Sequence, residues 1–374
     1  MRKALPAIVV LALVLAHSAA AATYPISISY GRSWPLSIAV DSARGLVYVD
    51  STSGENPPVG YTFGVINATT HSLIRAIPLD EVSGPIAIDQ ATGEVYVAGS
   101  GNSSVEVFNA TNAVRILPTS GHPILEMTYD WSVSPYIYFT SGNYVFALDP
   151  GSSELVRNAT VPNGPYWPLL DPANGMLYVS EYLSGKIAVL RASTLTPVST
   201  IALPSCCASA MAVNPKTQTL FASTGTNAVD MINAATNEFE KSIEVTQSSQ
   251  NSTGPIAVDS ETNRVYVGSS PGGSILELDA STGAVVGEFL VQSQVAGLAV
   301  DMKAHELYAT NYHQITVFDA ARAGSFEPFG LAMIAGAVVV ITVGVLLRRR
   351  YERGRRARSP PVRRTGSEVT SWTF

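Results

Sequence analysis

The sequence predicts an all-β fold: a seven-bladed β-propeller closed by an N-terminal strand, followed by one C-terminal transmembrane helix. Three observations carry this expectation. An apolar strand ending in Asp or Asn, a short polar turn and a strand bearing Tyr or Phe return seven times. The anchors are Asp41, Asp89, Asp130, Asp171, Asn214, Asp259 and Asp301, at intervals of 48, 41, 41, 43, 45 and 42 residues. A period in the forties with strand-like alternation marks a radial array of four-stranded blades. The seventh repeat holds three strands (297–300, 306–309 and 315–318), and an unassigned segment with a period of two, 24–30, precedes the first repeat. That segment is expected to supply the missing outer strand, so that the ring has no open inner edge. Finally, 329–347 is 19 residues without a charge, and seven Arg follow by position 358.

In chain order, Arg2 and Lys3 precede an apolar run and the small residues Ala20, Ala21 and Ala22, so 1–22 reads as a secretory signal peptide. Residues 23–320 are the propeller. Its second repeat shows the plan, with strands expected at 85–89, 94–98, 105–108 and 114–117 between Gly, Asn, Ser and Pro clusters. Residues 321–328 form a linker, 329–347 the span and 348–374 a basic tail. An uncharged run of that length covers about 28 Å as a helix, which matches the hydrocarbon core. The Arg cluster puts the tail in the cytoplasm and the propeller outside the cell.

The repeated residues read as structure. Asp or Asn at the head of a tight turn accepts hydrogen bonds from backbone N–H groups two residues on. The aromatic series Tyr48, Tyr96, Tyr138, Tyr178, Phe221, Tyr266 and Tyr308 reads as plates packed between neighbouring sheets. Ala39, Ala87, Ala212, Ala257 and Ala299, two before the anchor, suit crowding near the axis, while Thr128 and Leu169 depart from the pattern. The repeats resemble the YVTN family of β-propellers. The motif survives best as Tyr308-Ala309-Thr310-Asn311 and is degenerate at Tyr48-Val49-Asp50-Ser51, Tyr178-Val179-Ser180-Glu181 and Tyr266-Val267-Gly268-Ser269. The resemblance spans about 24–320 and implies a membrane-anchored surface protein of a bacterial or archaeal envelope.

Charge and cysteines bound the function. Residues 24–328 hold 12 Lys and Arg against 27 Asp and Glu, a net charge of −15, which disfavours nucleic acid and anionic membranes. The two cysteines, Cys206 and Cys207, are adjacent, so no disulfide framework staples the domain. They form either a vicinal disulfide or two packed thiols. His71, His122, His305 and His313 lack metal-ligand spacing, and neither a metal nor a cofactor is expected. Sequons at Asn67, Asn102, Asn109, Asn158 and Asn251 are candidates for N-glycosylation, although Asn67 and Asn109 also fit turn chemistry.

Strand direction alternates, so loops between second and third strands and loops between blades share one face. The chain leaves the ring after a third strand, on the other face. About nine residues then reach no more than about 30 Å before the span, which sets the exit face near the membrane. The outward face collects the candidate binding residues Trp34, His122, Glu126, Tyr166, Trp167, Tyr182 and Tyr312, beside Cys206 and Cys207. Exposed aromatics supply contact area at low entropic cost. The function expected is therefore a non-catalytic cell-surface or envelope protein that recognises a protein or glycan. The rival is an extracytoplasmic enzyme, a lyase or quinone-dependent oxidoreductase, working at the ring mouth with His122 and Glu126 as an acid–base pair.

Overall fold

The protein, seen in a computed structural model, is described over residues 26–29, 33–53, 60–79, 83–99, 103–109, 112–204, 207–245, 252–270, 273–291, 293–311 and 314–321. These residues form seven four-stranded antiparallel sheets. Six are continuous in sequence: 33–79, 83–118, 127–160, 165–202, 210–244 and 252–290. The seventh takes Gly297–Asp301, Glu306–Asn311 and Gln314–Asp319 and adds Ile26–Ser29 as its outer strand. That strand runs antiparallel to its neighbour, from Ile26 opposite Val317 to Ser29 opposite Gln314. The first and last described strands thus share one sheet, as the alternation of 24–30 leads one to expect.

Each anchor does what its chemistry dictates. The Oδ1 of Asp41, Asp89, Asp130, Asp171, Asn214, Asp259 and Asp301 accepts the N–H two residues on, at 2.8–3.1 Å. Asn67 does the same for Thr69 at 2.9 Å, and the Asn109 side chain accepts from the N–H of Asn112 at 2.8 Å.

The described core falls into seven clusters, and each lies between two successive blades. Each contains one aromatic from the repeated series, contributed by the earlier blade: Tyr48 against blade two, Tyr178 against blade five, Tyr308 against blade one. All six tyrosines of the series are buried. The hydroxyls of Tyr138 and Tyr178 donate to the carbonyls of Ala192 and Ala234 in the next blade, at 2.5 and 3.0 Å. The small residue two before the anchor has a more specific reason than crowding at the axis. Ala39, Ala87, Ala212, Ala257 and Ala299 stand directly opposite their own blade's aromatic across the ladder. Opposed residues share a sheet face, so a small side chain there leaves room for the ring. Thr128 and Leu169 hold the same position opposite Tyr138 and Tyr178.

Further bridges tie blades together on the face bearing the anchor turns. Arg44 donates to the carbonyls of Gln90 and Ala91, both at 3.1 Å. His305 pairs with Asp259 and His71 with Glu306, each at 3.1 Å, the second joining blade one to blade seven. No helix among the described residues is long and apolar enough to cross a membrane. The expected signal peptide, 1–22, and span, 329–347, lie outside the described residues.

Candidate functional site

The inner strands converge on the axis, where a cavity of about 640 Å3 opens between them. All seven blades line it, through Ser37 and Ile38, Pro85 and Ile86, Glu126 and Met127, Tyr166 and Trp167, Ser209 and Ala210, Gly254 to Ile256, and Ala296 to Leu298. Tyr182 joins from the loop between the second and third strands of blade four. These are the starting ends of the inner strands, so the cavity lies on the face opposite the anchor turns. A smaller cavity of about 350 Å3 opens at that opposite end, and Ile86 and Met127 line both.

The wall of the larger cavity is shaped by an irregularity repeated in four blades. Residues 36–37 oppose Asp50 alone, 84–85 oppose Ala98, 166–167 oppose Ser180 and 254–255 oppose Gly268. Such bulges re-aim side chains. In blade four the bulge is Tyr166-Trp167, inside Gly164-Pro165-Tyr166-Trp167-Pro168, and the prolines supply no ladder donor there. Ser180 Oγ accepts the N–H of Trp167 at 3.0 Å. In blade one the buried Asp50 carboxylate does this for the N–H of Ser37, at 2.5 Å.

Glu126, Tyr166, Trp167 and Tyr182 meet in this cavity. Tyr166 hydrogen-bonds the Glu126 carboxyl through its hydroxyl. Its ring lies 5.8 Å from that of Tyr182 and 6.5 Å from that of Trp167. Its carbonyl accepts Thr140 Oγ1 at 2.6 Å, which pins blade four to blade three. Trp167 also packs against the cores on both sides of blade five, so it combines a space-filling role with lining the cavity. Tyr182 is 45% exposed. Burial pushes the Glu126 carboxyl up to about 8; the Tyr166 hydrogen bond opposes that shift and the nearby Asp50 charge adds to it. Burial, with Glu126 next to it, pushes Tyr166 up to about 12. No Lys, Arg or His lines the cavity among the described residues.

The other candidates lie elsewhere. The His122 ring packs at a tilt against Phe146, in the third strand of blade three, with centroids 4.3 Å apart, and is not among the residues that line the cavity. Trp34 belongs to the strand Ser33–Asp41, but its side chain, like Tyr312, Cys206, Asn102 and Asn251, falls outside the described residues. Cys207 is disulfide-bonded and sits at φ +76°, two residues before the cavity-lining Ser209. Asn158 is exposed on the outer strand of blade three. Among the described residues no group of His, Cys, Asp and Glu is arranged to hold a metal. Sequence reading did not foresee Asp50, whose one signal was an acidic residue where other repeats carry Ala, Gly, Ser or Thr. No protein-family model matches the chain, and no curated protein matches it.

Proposed function

We propose that the protein is a recognition module of the cell surface or envelope that binds a sugar or a protein group in the axial cavity without chemically changing it. The observation that carries this reading is the convergence of Tyr166, Trp167, Tyr182 and the Glu126 carboxyl on one concave site. Cavities of this size with a few placed polar groups are the usual form of ligand sites. Acid–base catalysis asks for a partner in reach, and His122 is not among the residues that line the cavity with Glu126. The resemblance to YVTN propellers, the apolar segment 329–347 and the Arg-rich tail support a membrane-tethered setting, with this mouth turned outward.

The test is glycan-array and partner-capture binding by the purified full-length chain, compared with Tyr182→Ala. Tyr182 is half-exposed, so its truncation spares the core. A loss of about tenfold or more in affinity supports the reading, and binding indifferent to Tyr182→Ala sinks it. The enzymatic alternative draws on one observation: a carboxyl poised near 8 in a cavity suits a general acid. It requires turnover that Glu126→Gln abolishes.

A further inference from the structure

The charge balance of the cavity narrows the ligand class. One carboxyl, Glu126, is held among three aromatic side chains, with a second, Asp50, close enough to repel it. Among the described residues no cationic side chain lines the cavity beside Glu126. Asp50 is already engaged with the N–H of Ser37. From blade four the neutral phenol of Tyr166 meets the Glu126 carboxyl. Aromatic faces beside a desolvated carboxylate attract a positive charge and leave an anion unrewarded.

We propose that the axial cavity binds a small organic cation, an ammonium group seated between the Glu126 carboxylate and the rings of Tyr166, Trp167 and Tyr182. The proposal rests on the binding reading above and names its ligand chemistry. A quaternary ammonium and an amino sugar both offer that chemistry, and a cavity of about 640 Å3 admits either. The groups facing Glu126 are Tyr166 from blade four and Asp50 from blade one, with Tyr182 beyond Tyr166. With its carboxyl raised to about 8, Glu126 carries a proton in the empty cavity at pH 7. Cation binding must expel that proton, so the affinity for a permanently charged quaternary ammonium rises with pH up to about 8 and levels off above it, whereas an amino sugar loses its own charge in mild alkali and falls away again.

The experiment uses the full-length chain and two matched pairs of probes. Choline is set against its neutral isostere 3,3-dimethylbutan-1-ol, and glucosamine against N-acetylglucosamine. Binding is followed by tryptophan fluorescence and by calorimetry in two buffers of different ionisation enthalpy. The expected result is a preference of roughly tenfold for the charged member of at least one pair, with close to one proton released per cation at pH 7. The pair that shows it identifies the source of the ammonium. Glu126→Gln should remove both the preference and the proton release. Equal affinity within both pairs, a preference that survives Glu126→Gln, or no response to either cation overturns the inference. If partner capture remains sensitive to Tyr182→Ala in any of those cases, the wider binding reading stands.

Discussion

At the scale of single residues, the same side chain means different things according to what surrounds it. Asp41, Asp89, Asp171, Asp259 and Asp301 are buried carboxylates occupied by backbone N–H groups, Asp130 does the same half-buried, and Asn214 fills the same post without a charge. Their role was legible in the sequence because it is local: donor and acceptor are two residues apart. Glu126 was legible as a candidate, but its environment was not. Its neighbours Asp50 and Tyr166 come from other blades, and no local pattern connects them. His122, which the rival enzymatic reading pairs with Glu126, has its imidazole against Phe146. A consequence for stability follows from the Glu126 carboxyl. Its folded value, about 8, lies above the ordinary 4.5, so the folded state holds a proton that the unfolded chain gives up. Its contribution is present in full below pH 4.5 and is lost as pH rises through about 8. Glu126→Gln never ionises. Relative to wild type, the variant should gain about 1–2 kcal/mol between acid and mildly alkaline pH, a figure reduced for solvent screening. Melting temperatures of both proteins from pH 4 to 9 test this, and parallel curves would show that the carboxyl is not held protonated.

At the scale of strands and blades, periodicity did most of the predicting. The alternating apolar positions and the returning Tyr placed each strand and marked the ring as the partner of the next blade, and the seven core clusters have that arrangement. The inner-strand bulges were not legible. Gly84-Pro85, Gly254-Pro255, Pro35 and Pro165 flag an irregularity in each of the four strands, yet a glycine or proline does not say where the bulged side chains are aimed. Because the bulge aims Tyr166 and Trp167, the site could be nominated from sequence but its shape could not. The seam between blades seven and one depends on close approach. A methyl at Gly297 would stand 2.6 Å from the Leu36 carbonyl oxygen, and Thr310 Oγ1 already donates to that oxygen at 2.8 Å. Gly297→Ala must push backbone apart, so it should cost about 2 kcal/mol or more. A denaturant midpoint equal to wild type would mean the seam yields freely.

At the scale of the whole molecule, the ring is held by like interfaces, and one of them is fastened by a strand from the opposite end of the chain. Deleting residues 24–30 removes that fastening and leaves the outer edge of blade seven unpaired. The melting temperature should fall by several degrees and the transition should broaden, since blade seven can then fray before its neighbours do. A melt as sharp as that of the intact chain would show that the strand is dispensable. The same arrangement governs when the cavity comes into being. Its wall takes side chains from every blade, and its last contributor, Leu298, belongs to a sheet that is finished by residues near the amino terminus. During synthesis the earliest segment to emerge must therefore wait for nearly the latest. A ribosome that stalls before codon 297 has made six sheets and a cavity with one side missing.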